Sequence, residues 1–87
     1  MSLEALRNKI NKIDESIIKL LAERQQLSKA IGQLKIEAGI NIIDPLREQE
    51  LSELHRRLGA AHALPNELVE NVFNVIILES RNQQQGG

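Results

Sequence analysis

The sequence predicts an all-α fold in a single domain over residues 1–87: three helices per chain, one long and N-terminal and two shorter, with a second copy of the chain completing the core. Apolar residues recur at an alternating three-and-four spacing through the N-terminal part of the chain. The dipeptides Asp44-Pro45 and Leu64-Pro65 then open two further stretches of helical patterning. The first stretch is also too long for one chain of this size to cover.

That first stripe comprises Leu3, Leu6, Ile10, Ile13, Ile17, Leu20, Leu27, Ile31, Leu34 and Ala38, with no proline among them. Lys9, Lys12, Glu15, Lys19 and Glu23 fall off the stripe, as an amphipathic helix requires, and Gly39 supplies a stop. Gly32 costs about 1 kcal/mol relative to Ala inside a helix, and its bare backbone suits a close helix crossing. At 1.5 Å per residue, a helix over Leu3–Ala38 extends about 54 Å. A compact chain of this length has a radius of gyration of about 12 Å, so a second copy must cover what one chain leaves open.

Asn41 to Ile43 form a short connector, after which Asp44 reads as an N-cap and Pro45 as the first residue of the second helix. Leu51, Leu54 and Leu58 define its apolar face, and Gly59 marks an end within one to three residues. The third helix begins at Leu64-Pro65 and carries a wide stripe, Leu68, Val69, Val72, Phe73, Ile76 and Ile77, expected to be buried. Past Ser80, the segment from Arg81 to Gly87 turns polar and is expected to fray.

Composition narrows the function. Eleven Lys and Arg against twelve Asp and Glu give a net charge of -1, too balanced for a surface that binds polyanions by global charge. Phe73 is the sole aromatic residue, so no stacking platform for single-stranded nucleic acid exists. With no Cys, disulfides and thiolate metal sites are excluded and a cytoplasmic setting is expected. No apolar run approaches the roughly 20 residues that span a bilayer. His55 and His62 lack partners at metal-ligand spacing and are expected to be solvated, while Ser16, Ser28 and Ser52 lack a base partner for nucleophilic catalysis.

What remains is a set of polar residues where apolar ones belong. Arg24 occupies the position between Leu20 and Leu27 where the rhythm asks for an aliphatic side chain. Lys35, about three turns on, returns to nearly the same face. Arg47 shares the azimuth of Leu51, Leu54 and Leu58, Glu48 borders it, and Ser80 and Gln84 continue the line through Val69, Phe73 and Ile76. Three cations, Arg24, Lys35 and Arg47, then face one carboxylate, so an enclosed site would suit a small dianion. Arg7 lies roughly 25 Å before Arg24 on the same helix and can join such a site only from a second, antiparallel chain.

Each residue alone has an ordinary structural explanation. A polar residue on a helical seam sets register or oligomer state, a lysine near a helix end complements the macrodipole, and Arg47 with Glu48 could form a surface pair of little worth. Together they require several coincidences.

The segments Ala5-Leu6-Arg7, Leu20-Leu21-Ala22-Glu23-Arg24, Gly32 to Lys35, Asp44-Pro45-Leu46-Arg47-Glu48 and Phe73 to Gln84 resemble the all-helical chorismate mutases over nearly the whole chain. The resemblance implies an intertwined helical homodimer with two equivalent active sites, each built from both chains. It also implies the Claisen rearrangement of chorismate to prephenate, on the route to phenylalanine and tyrosine, with no cofactor. That pericyclic step needs neither nucleophile nor general base. It gains from holding the reactive conformer and from donors placed where charge grows on the breaking ether oxygen.

Carried over residue by residue, the resemblance implies that Arg24 and Ser80 take the ring carboxylate and that Arg7 of the second chain takes the side-chain carboxylate. Lys35 would serve that carboxylate and the ether oxygen, Gln84 the ether oxygen, and Glu48 would accept from the ring hydroxyl. Asp44 would contribute through its backbone, Arg47 would support the site, and Ile31 and Ile77 would form apolar walls. Two alternatives stand beside this reading: an isochorismate-pyruvate lyase, which shares the fold, and a non-catalytic helical dimerisation module.

Overall fold

The structure, a computed structural model, describes residues 1–85; of the polar tail, Gly86 and Gly87 lie outside the described residues. Three helices follow one another: α1 over Leu3–Ala38, α2 over Pro45–Ala61 and α3 over Asn66–Gln84. Their ends follow local chemistry. The Ser2 hydroxyl accepts the Ala5 N–H at 3.1 Å and caps α1. At the other end Gly39 adopts the left-handed conformation (φ 68°), so that its N–H reaches Ile36 O and the Ile40 N–H reaches Lys35 O at 2.9 Å. Asp44 caps α2 by accepting the Arg47 N–H at 3.1 Å, with Pro45 at the first helical position as expected.

α2 ends at Ala61, two residues past Gly59 and within the range expected from the sequence. Gly59 itself is buried in the last turn of α2, where an added Cβ would sit 2.7 Å from Val69 Cγ2. The left-handed position falls instead on Ala63 (φ 57°), with Ala63 N–H donating to Ala60 O and Leu64 N–H to Gly59 O. The C-terminal segment differs from the sequence expectation. Rather than fraying after Ser80, α3 continues through Gln84, and the Gln85 N–H donates to Arg81 O at 3.0 Å.

α3 packs on both α1 and α2. The contact with α1 follows a line of small and polar residues. Arg24 and Ser28 meet Ser80, and Gly32 and Lys35 meet Gln84, so the two helices run in the same direction along their shared C-terminal parts. Gly32 fulfils the close crossing anticipated for it, since an added Cβ would lie 2.8 Å from the Gln84 carbonyl carbon.

Packing within the chain is sparse. The molecule measures 55 × 23 × 15 Å with a radius of gyration of 16.0 Å, well above the ~12 Å of a compact chain of this length. Val69 is the single buried hydrophobic residue among those described, and no large side chain among them is fully buried. The α3 stripe expected to be buried is only partly so: Phe73, Ile76 and Ile77 are half-buried, whereas Leu68 and Val72 are exposed. Along α1, Ile10, Ile13, Ile17, Leu20, Leu27 and Leu34 are all exposed, while Arg24, Ser28, Gly32 and Lys35 are the residues that meet α3. No helix among the described residues is long and apolar enough to cross a membrane.

Candidate active site

Where α1, α3 and the first turns of α2 converge, they line a half-open cavity of about 390 Å³. Arg24, Ile31, Lys35, Asp44, Arg47, Glu48, Ile77, Ser80 and Gln84, all singled out from the sequence, line it. Arg7 does not. It is exposed near the start of α1, 17 residues and therefore about 25 Å from Arg24.

Two polar clusters organise the cavity. In the first, Arg24 Nη1 donates to Ser80 Oγ, and Ser28 Oγ donates to the same oxygen at 3.2 Å. Ser28 and Ser80 are buried and Arg24 is half-buried. With both lone pairs engaged, the Ser80 hydroxyl retains its own proton for donation. Burial, and secondarily the charge of Arg47, lowers the Arg24 pKa from its ordinary value. In the second cluster, Lys35 Nζ donates to Ile42 O at 2.8 Å and to Gln84 Oε1 at 3.1 Å. One ammonium thus ties the last turns of α1 and α3 to the connector.

On the α2 side, Glu48 is held by Arg81 in a forked pair: Nε donates to Oε2 at 2.8 Å and Nη2 donates to Oε1. The Arg81 hydrogen bond, opposed in part by burial and aided by the charges of Arg81 and Lys35, keeps the Glu48 carboxyl below its ordinary pKa. Arg47 and Glu48 therefore do not pair with each other. Arg47 is exposed, reaches Glu50 at 3.3 Å, and borders the cavity. Counting Arg81, four cationic side chains line the cavity against the two carboxylates of Asp44 and Glu48. The surplus of two positive charges fits a small dianion.

Sequence reasoning missed three participants. Ser28 lies four residues after Arg24 and four before Gly32, and that spacing could have placed it on the α3 contact. Arg81 lies four residues after Ile77, a signal obscured by the expectation that the helix frays there. His55 is a correction. It is not a solvated surface residue but half-buried, stacked on Phe73 with ring centroids 3.7 Å apart, and its pKa is lowered by burial first and then by Arg24 and Arg47. His62 is exposed at the end of α2, as expected.

The geometry can be set beside known proteins. A family model described as chorismate mutase type II matches residues 6–85, a span that contains every residue of the cavity. The chain belongs to the chorismate mutase type II family. It is 34% identical over 83 residues to the chorismate mutase of Methanocaldococcus jannaschii, covering 95% of this chain and 84% of that protein. It is 39% identical over 83 residues to the bifunctional chorismate mutase/prephenate dehydratase of Escherichia coli, covering 95% of this chain but 22% of that protein. A bifunctional protein of the same description from Buchnera aphidicola is 42% identical over 79 residues, 91% of this chain and 20% of its own length. The chain thus spans most of the length of the first relative and about a fifth of the bifunctional ones.

Proposed function

We propose that this chain converts chorismate to prephenate in sites shared between two copies, using conformational and electrostatic stabilisation without covalent catalysis. The observation that carries the reading is the Lys35–Gln84 pair inside a cavity with surplus positive charge. With its oxygen engaged by Lys35, the Gln84 amide presents its NH₂ as a donor. An ammonium and an amide donor side by side suit an ether oxygen that gains negative charge as its C–O bond breaks.

The remaining roles are those that the resemblance to the all-helical chorismate mutases implies. Arg24 and the Ser80 hydroxyl bind the ring carboxylate, and Lys35 together with the partner's Arg7 binds the side-chain carboxylate. Glu48, ionised beside Arg81, accepts the ring hydroxyl, while Ile31 and Ile77 confine the folded enolpyruvyl arm. Asp44 caps α2 and thereby sets the position of Glu48, and Arg47 adds positive potential at the rim. The exposed aliphatic length of α1, and an Arg7 that cannot reach its own Arg24, support an antiparallel homodimer. A cytoplasmic location accords with a cysteine-free chain.

The test is to incubate the purified protein with chorismate and follow substrate and products by NMR. Prephenate formation without added cofactor is expected. Release of free pyruvate from isochorismate in preference would instead identify a lyase, and consumption of neither substrate would leave a dimerisation module.

A further inference from the structure

The Glu48–Arg81 pair stands in a wall common to two spaces. Glu48, Leu51, His55, Ile77 and Arg81 line both the cavity and a second groove of about 420 Å³ between α2 and α3. Arg81 approaches Glu48 side-on, through Nε and Nη2, so each carboxylate oxygen accepts one hydrogen bond and keeps a second lone-pair direction free. The pair is only part-buried, with side-chain exposures of 36% and 28%, so solvent by itself would leave Glu48 free to choose partners. One competing partner is Lys35, whose charge acts on Glu48 from α1. Were Glu48 to swing to Lys35, the ammonium that faces Gln84 would be quenched.

We infer that Arg81 is a positioning residue for the proposed reaction: it clamps Glu48 as an acceptor facing the cavity and holds it away from Lys35. This rests on the chorismate mutase reading of the cavity and adds to it a residue that touches Glu48 rather than substrate. The charged groups that face Glu48 are Arg81 from α3, Lys35 from α1 and Asp44 at the cap of its own helix. Of these, Arg81 supplies the hydrogen bonds that favour the ionised carboxylate.

The experiment is a double-mutant cycle with Arg81→Gln, Glu48→Gln and both together, with Arg81→Lys as the conservative variant. Each is assayed for kcat and KM across pH once the unmodified protein has been shown to turn over chorismate. Failure of that first measurement would concern the function, and only the later ones concern Arg81. Arg81→Gln is expected to lower kcat/KM about tenfold and to move the acid limb of the pH profile upward. Arg81→Lys should recover part of both, and in the Glu48→Gln background loss of Arg81 should cost little more. Additive losses in the double variant, or a fall in turnover with an unmoved acid limb, would overturn the inference. Should Arg81→Gln melt early, Arg81→Lys still decides by its acid limb.

Discussion

Lys35 Nζ donates to Gln84 Oε1 across 3.1 Å, joining two helices whose residues stand 49 positions apart. The same nitrogen holds the Ile42 carbonyl, so its removal costs both a charge at the cavity and the orientation of an amide. Lys35→Ala should therefore reduce kcat by about 10²–10³-fold, the scale of losing a donor to developing charge. Gln84→Ala should lose less, since Lys35 remains. Initial rates of chorismate loss, with circular dichroism to verify the fold, check both.

Arg24 and Arg7 offer a test of the shared site. In a mixed dimer of Arg7→Ala with Arg24→Ala, one site carries both lesions and the other carries neither. Each variant alone should be nearly inactive, and an equimolar mixture after subunit exchange should recover about a quarter of the unmodified activity, because half the dimers have one intact site. A mixture no more active than its components would place both arginines in the same site of the same chain or outside it.

Gly32→Ala should be destabilising despite the better helix propensity of alanine, because its Cβ would collide with the backbone of Gln84 rather than with a flexible side chain. A loss of about 1–3 kcal/mol in urea unfolding is expected, accompanied by lower turnover as Gln84 is pushed from Lys35. Unchanged stability would mean that α1 and α3 approach less closely than described.

Ala63 occupies a left-handed conformation that costs an L-residue about 1 kcal/mol. Ala63→Gly relieves it within an otherwise complete pair of C-terminal hydrogen bonds and should stabilise the protein by at most about 0.5 kcal/mol, the remainder being offset by the freer unfolded chain. Activity should be unaffected, since Ala63 is outside the cavity. Thermal melting of the variant decides it.

His55 makes stability depend on pH. Burial and the charges of Arg24 and Arg47 lower its folded-state pKa, whereas the unfolded chain takes up the proton near pH 6.5. Below that value the unfolded state therefore binds more protons, and stability falls as pH drops toward the folded pKa. His55→Leu should flatten this part of the curve in unfolding experiments between about pH 7.5 and 5. An equal slope in both proteins would assign the effect to other groups.

Helix content, cap chemistry and most of the candidate site were legible in the sequence. Periodicity and the Asp44-Pro45 signal are local properties of the chain, and Arg24, Lys35 and Gln84 stand out because each interrupts an aliphatic rhythm. The apolar excess of α1, which motivates the proposed second chain, is also a property of the sequence. Tertiary structure decided what depends on neighbours remote in sequence. Glu48 pairs with Arg81 rather than Arg47, His55 stacks on Phe73, and Gly59, two residues before its helix ends, leaves room for Val69. Helical periodicity reports which side of a helix a residue occupies, but which element lies across from that side follows from the turn angles and interhelix distances of the folded chain.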